Sequence, residues 1–510
     1  MTIPPAITYQ LPLESTRRSS LLRDGLNLLI ILAPAIFVAA VNLRIAYDDA
    51  FITYRYAYNL ARGDGFVYNI GEWYMGTTAP LYGLLLGMLG FVFGPDAIPL
   101  LSGVVSGGAL ALAGVGLYLY GRIHQQAFCG LLVGLFFVTN RLLPLTFGGE
   151  MLFLVALIIW VFTLYRMERT LLSALLLALA ILTRMDAVLV AGVIGLHYLF
   201  TRRRLPWREL LVVALTLLPF ALLSWFYYGA FLPATLDAKL AQRDSGLWSS
   251  FTRGVFEWIK AFTMQGSSTL FPTLPAAPSA IRFMLFVALG LPALWLYRFW
   301  LLPLAWIALY VLSYTVLNVP FYHWYVVPVA LGLMILAGCG VSGVIDLIVR
   351  GYRHWRGEAG ASWVSSIVRG LCVLALAPGL YAQLAQTQAQ AGANPAELLY
   401  EKTGHWLATN TSPNASVGYF EIGRIGYYAD RRMIDPLGLI DPAIAPSVAR
   451  KDLTWAYRTY QPNYILYNKQ FAGWFGAMLK DPWFRQNYHH AGDIEQPGYL
   501  SLVVYQRNGE

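Results

Sequence analysis

The chain has 510 residues, of which 57% are hydrophobic and 12% charged, with a formal charge of +9. A soluble enzyme carries roughly a quarter charged residues, and the apolar residues here fall into blocks near the ~20 residues that cross a bilayer, so a soluble protein is excluded. The basic excess is no nucleic-acid footprint either, because Lys and Arg lie between the apolar blocks, as loop orientation in membranes requires.

A tail, 1–24, carries Arg17, Arg18 and Arg23 and reads as cytosolic. No small-residue cleavage site follows it, so the first apolar block reads as a retained helix and not a signal peptide. Spans are expected near 25–44, 98–120, 127–141, 150–166, 170–184, 187–200, 209–228, 281–298, 300–317, 325–348 and 364–385, about eleven in all. With the arginines around 122, 166–169, 202–208, 298 and 350–356 all cytosolic, the apolar block 80–94 has no room to cross. It reads as a juxtamembrane or re-entrant helix opened by Pro80 at a helix-starting position.

Three polar regions, 45–97, 229–280 and 386–510, then share the outer face with the short turns 141–149, 184–186 and 318–324. From 386 the composition turns soluble. The runs ASVGYF, RMIDP, NYILYN and YLSLVVYQ are short and β-rich, separated by Gly, Pro and Asp. Helical stretches near 396–409 and 468–480 alternate with them. The expected fold is a polytopic α-helical membrane domain, 25–385, followed by an extracytoplasmic α/β domain, 386–510. Cys129, Cys339 and Cys372 offer neither metal spacing nor a disulfide framework.

Candidate chemistry gathers on the outer face. Asp48 and Asp49 precede AFITYRYAYNLA, where an Asp can cap a helix. Capping accounts for one acid, and ionisable groups at a membrane boundary tend to be functional. A carboxylate there could serve as general base on an acceptor hydroxyl. The helix in AFITYRYAYNLA spaces Thr53, Tyr56 and Leu60 along one face and is expected to lie in the interface plane as an amphipathic segment, and RGDGFVYN reads as a turn without the ending of a phosphate loop. Glu150 stands at a span mouth, as first-turn acid or site residue. Arg184 and Asp186 stand at another, paired with each other or with Arg184 gripping a phosphate. Tyr322 and His323 belong to the aromatic belt, with His323 a second phosphate or sugar contact and Lys239 a third cation. Arg55 completes the cations, and Glu421 with Arg424 sits in a strand-to-helix turn.

Zinc-helix, dinucleotide, phosphate-loop and nucleophile-elbow motifs are all missing. An energy-rich donor must therefore arrive through the lipid or from the outer face.

The stretch YDDAFITYRYAYNLARGDGFVYNIGEWYMGTTAPLY resembles the first extracytoplasmic loop of GT-C glycosyltransferases, and most closely the terminal arabinofuranosyltransferase-like (AftB-like) branch. GGEMLF, TRMDA, FLPATLDAK, FYHWY and VGYFEIGRIGYYADRRMIDPLGLIDP continue the likeness in order along most of the chain. The resemblance implies a multi-pass plasma-membrane enzyme that moves a sugar from a polyprenyl phosphate to an extracytoplasmic glycan, lipid or protein. A first-loop acid acts as base for an inverting displacement. By position that acid is Asp48 or Asp49, and Asp48 is the first choice. Arg184, Lys239, His323 and Arg55 would hold the donor phosphate, and Glu150, Asp186, Tyr322 and Glu421 the substrate. Arabinofuranose is the sugar of the nearest named relatives, no metal ligand is assigned, and a divalent-metal requirement stays open. Arg184-Met185-Asp186-Ala187 replaces the frequent Arg-Pro-Glu-Gly, and Glu421-Ile422-Gly423 the frequent Asp-x-Gly. Two rivals from other classes are a transporter of lipid-linked saccharides, which predicts broken helices with polar residues at the midplane, and a glycan-binding protein resting on the outer domain.

Overall fold

The computed structural model describes residues 14–231, 233, 235–270, 276–357, 361–392, 394–499 and 501–509. Most of the predicted tail, 1–13, lies outside them. Apolar backbone in a bilayer must satisfy its own hydrogen bonds, and the apolar blocks accordingly form helices. These are α1 (Glu14–Asn42), α2 (Asp48–Arg62), α3 (Pro80–Phe93), α4 (Ile98–Ile123), α5 (Ala127–Val138), α6 (Met151–Arg166), α7 (Thr170–Thr183), α8 (Val188–Arg202) and α9 (Trp207–Tyr228). There follow α10 (Thr235–Ser245), α11 (Phe251–Leu270), α12 (Ala276–Ala293), α13 (Leu301–Val316), α14 (Val327–Arg356) and α15 (Ala361–Gln390).

Each expected span coincides with one of these helices. Among the described residues, seven helices are long and apolar enough to cross a membrane. Four others, within α5, α6, α7 and α12, are shorter. The first three border the turns 139–150 and 184–187, which carry Glu150, Arg184 and Asp186. Close crossings hold the bundle together: a Cβ on Gly290 of α12 would lie 2.1 Å from the Leu336 carbonyl oxygen of α14, the small-residue packing by which helices approach in lipid.

Helix α3 packs along α2 and leaves Met88, Phe91, Val92 and Phe93 exposed at its far end. Its 14 residues span about 21 Å, short of the ~30 Å apolar core of a bilayer.

The C-terminal part adds α16 (Pro395–Asn410), β1 (Ser416–Gly418), α17 (Gly423–Ala429), β2 (Arg432–Ile434), β3 (Tyr464–Asn468), β4 (Tyr488–Ile494) and β5 (Leu502–Arg507). The strands form one sheet in the order β2-β1-β3-β5-β4, parallel for β2-β1-β3 and antiparallel beyond. Strand β4 was not expected, because its middle residues are polar and exposed on this edge. The helical stretch expected at 468–480 breaks into the short turns Lys469–Phe471, Ala472–Phe475 and Met478–Lys480. The domain core takes in Ile52, Tyr56, Phe66 and Tyr68 of the first loop and Ala238 and Ala241 of α10. The change near 386 is therefore one of composition, and packing runs straight across it.

Candidate active site

Helix α2 begins after Tyr47, whose extended backbone ends the preceding turn, and places Asp48 and Asp49 in its first turn. Successive helical residues point about 100° apart, so the two carboxylates face different neighbours. The Asp48 side chain does cap a helix, but not its own. Its Oδ2 accepts the Gly423 amide at 3.1 Å and its Oδ1 the Arg424 amide at 2.7 Å. These are free first-turn donors of α17. Gly423 is required by this approach, since a Cβ there would lie 1.9 Å from the Asp48 carbonyl oxygen.

The seam extends on both sides of Asp48. Glu397 of α16 accepts the Asp48 amide at 3.2 Å and the Arg424 Nε at 2.5 Å. Arg424 also donates to Glu401 at 3.1 Å and to the Ala46 carbonyl at 2.6 Å, with its guanidinium 4.3 Å from the Phe51 ring centroid. Arg55, expected to hold phosphate, belongs to this seam instead. It is buried, donates to the Tyr68 carbonyl at 3.3 Å and pairs with Asp430 at 2.6 Å. Its place one helical face away from Asp49 explains the difference.

Asp49 turns the other way, into a cavity of about 50 Å³. Thr53, Thr77, Glu150, Lys239 and Tyr325 share its wall. Thr53 and Thr77 are hydrogen-bonded at 2.9 Å. Lys239 of α10 sits with its Nζ 3.5 Å from the Tyr322 ring centroid, and the Tyr322 hydroxyl donates to Gln242 at 2.9 Å. That cation–π contact holds the ammonium beside Asp49. Arg184 lies behind Glu150 and is already engaged: it donates to Glu150 at 2.7 Å, to Asp186 at 3.1 Å and to the Tyr314 hydroxyl at 3.2 Å. His323 stands outside the cavity wall, donating to the Leu145 carbonyl at 3.2 Å with its ring edge-on to Tyr47.

The electrostatics follow from this enclosure. Burial pushes the Asp49 carboxyl up to about 6, with Lys239 opposing and Asp48 and Glu150 adding. Burial also pushes Asp48 up to about 6, with Glu397 adding and the two α17 amides opposing. Lys239 is drawn down to about 8 by burial, against the attraction of Asp49. Glu421 is raised well above the carboxylate range by burial and by Asp48, Asp49 and Glu397 around it. Asp48, Asp49 and Glu421 each offer one oxygen, all within 4.8 Å of one another. Oxygen-only donors fit a hard divalent cation such as Mg²⁺ or Mn²⁺, and such an ion would relieve the mutual repulsion of the three acids.

The site thus gathers Asp48, Asp49 and Glu421 with Glu150, Lys239 and Tyr322, with Arg184 and Asp186 behind them, and leaves Arg55 and His323 aside. Sequence reasoning missed Glu397 and the Thr77 wall. The Gly-Thr-Thr run before Pro80 was the only signal for Thr77, and nothing in the local pattern marks Glu397.

Residues 382–507 match a family described as a domain of unknown function, DUF8728. No curated protein matches the chain by sequence. Among solved structures the chain is similar to ArnT from Cupriavidus metallidurans bound to undecaprenyl phosphate, at 15% identity over 93% of this chain and 97% of that one, with a TM-score of 0.57. The apo state of ArnT gives 14% identity over the same shares and a TM-score of 0.59. The oligosaccharyltransferase AglB from Archaeoglobus fulgidus, in complex with an inhibitory peptide and a dolichol-phosphate, gives 14% identity over 86% of this chain and 69% of that one, with a TM-score of 0.52. At such identities the likeness is one of fold, and the chain shares with ArnT and AglB the architecture of a polytopic helical membrane protein with a C-terminal α/β domain.

Proposed function

We propose that this protein is an inverting glycosyltransferase that moves one sugar from a polyprenyl phosphate to an acceptor hydroxyl on an extracytoplasmic glycan, lipid or protein. The observation that carries the reading is that Asp49 and Lys239 line one cavity. The shared fold with lipid-phosphate-bound ArnT and AglB supports it. The site and the C-terminal domain face the extracytoplasmic side, since the arginines crowd the opposite ends of the helices.

The geometry favours Asp49 over Asp48 as the base. Both oxygens of Asp48 already accept backbone amides, whereas Asp49 lines the cavity. The acceptor hydroxyl gives its proton to Asp49 as its oxygen bonds to the anomeric carbon. The bond from that carbon to the donor phosphate oxygen breaks from the opposite side, and polyprenyl phosphate leaves. Lys239 stabilises the charge that develops on the leaving phosphate. Arg184, neutralised by Glu150 and Asp186, positions the Glu150 wall instead of meeting the phosphate. The polyprenyl tail stays in the bilayer, which spares about 0.8 kcal/mol for every methylene kept out of water.

The cavity, about 50 Å³, holds only a water or two, so sugar binding requires the aromatic wall of Tyr47, Trp324 and Tyr325 to shift. A pentofuranose such as arabinofuranose is the proposed sugar, on the resemblance of the first-loop and outer-domain motifs. Purified protein offered a panel of polyprenyl-phosphate pentoses and hexoses is expected to release polyprenyl phosphate from the arabinofuranosyl donor and to form a product of inverted anomeric configuration. Consumption of none of the donors contradicts the reading.

A further inference from the structure

We propose a binding site for an anionic glycerophospholipid at the end of the bundle opposite Asp49. Helix α7 runs from Thr170 to Thr183 and α8 returns from Val188 to Arg202, so their far ends lie about 21 Å from the Arg184 turn. A cavity of about 740 Å³ opens there, lined by Arg169, Arg202, Arg204 and Arg208 against Glu168 and Glu209. Arg202 pairs with Glu168. The guanidinium groups of Arg169, Arg204 and Arg208 make no ion pair or hydrogen bond among the described residues. Three unspent cations thus point at one space, together with Trp207, which is 69% exposed and suited to a headgroup level.

A second cavity of about 100 Å³ continues from the first, with Thr170, Tyr198 and Glu209 in both walls. Apart from Tyr165 and Ser173 its remaining lining is apolar, including Ala174, Leu177, Ile194 and Val213 of α7, α8 and α9. A cationic chamber joined to an apolar crevice is the shape of an amphiphile with an anionic head. The chamber is far larger than a single phosphate needs, and its mix of arginines, acids and hydroxyls suits a phosphate diester with a polar head. That is why a glycerophospholipid fits better than a polyprenyl phosphate. The occupant also answers a packing question. Helix α9 buries only Ser224, although its far end leads into the segment that carries Lys239, and an acyl chain beneath it would supply apolar contacts.

The test is native mass spectrometry of the full chain with equimolar phosphatidylglycerol, phosphatidylcholine and a polyprenyl phosphate, alongside inorganic phosphate alone. Phosphatidylglycerol is expected to be retained about tenfold over phosphatidylcholine, and thermal unfolding in detergent to shift upward with it and not with inorganic phosphate. R169Q/R204Q/R208Q is expected to bring the two phospholipids to parity, and A174L, which fills the crevice, to weaken retention while leaving the charge in place. Equal retention of phosphatidylglycerol and phosphatidylcholine by the wild-type protein, displacement of bound phosphatidylglycerol by equimolar polyprenyl phosphate, or an equal shift with inorganic phosphate would each overturn the proposal, and none of these depends on a variant that folds.

Discussion

The two faces of helix α2 do opposite work. On one, Asp48 and Arg55 are bonded to α17, Glu397 and Asp430, and join the first loop to the C-terminal domain. On the other, Asp49 and Thr53 line an open cavity with Lys239. Neighbouring acids with the same raised titration range are therefore not interchangeable. A carboxylate with a fixed amide on each oxygen is less free to take a substrate proton than one that lines a cavity beside a cation. The comparison teaches that position on a helix, about 100° per residue, divides structure from chemistry here.

The largest break in that comparison should come from Asp49→Asn. Loss of a general base costs about 10²–10⁴-fold in turnover, and thermal unfolding should stay near that of the wild-type protein. Asp48→Asn should act in the reverse sense. It weakens two hydrogen bonds to a charged acceptor in a buried seam, which costs about 2–3 kcal/mol of stability, read as a lower unfolding midpoint in detergent, while donor consumption persists. A smaller effect of the same kind is expected from Gly423→Ala. The added Cβ must displace the Asp48 backbone, an overpacking cost of about 1–3 kcal/mol partly offset by the better helix propensity of Ala.

Much of this was legible in the sequence for simple reasons. Apolar blocks give helices wherever the backbone must satisfy itself in lipid, so every expected span has its helix. Loop arginines set which ends share a face, and that gathered Asp49, Glu150, Arg184 and Lys239 at one end. The assignment of tasks within the site was not legible. Asp48 meets α17 across 375 positions of chain and Glu397 across 349, and no local pattern records such a meeting. Arg55 looked like a free cation because Asp430, its partner, lies in a domain whose docking only the tertiary fold reveals. Strand β4 escaped for a different reason: on the sheet edge its exposed polar residues carry no alternation.

The central claim, that Asp49 is the base and Asp48 the cap, is tested most directly by the pH dependence of kcat/KM in the wild-type protein and in Asp48→Asn. A base must be ionised, so wild-type activity should fall as pH drops through about 6, the value to which burial raises Asp49. Lys239 must be charged, so activity should fall again as pH rises through about 8. Asp48→Asn removes one of the charges that raise Asp49, so the account predicts that the acid limb persists and moves to lower pH. An acid limb that disappears in Asp48→Asn and survives unchanged in Asp49→Asn would contradict it.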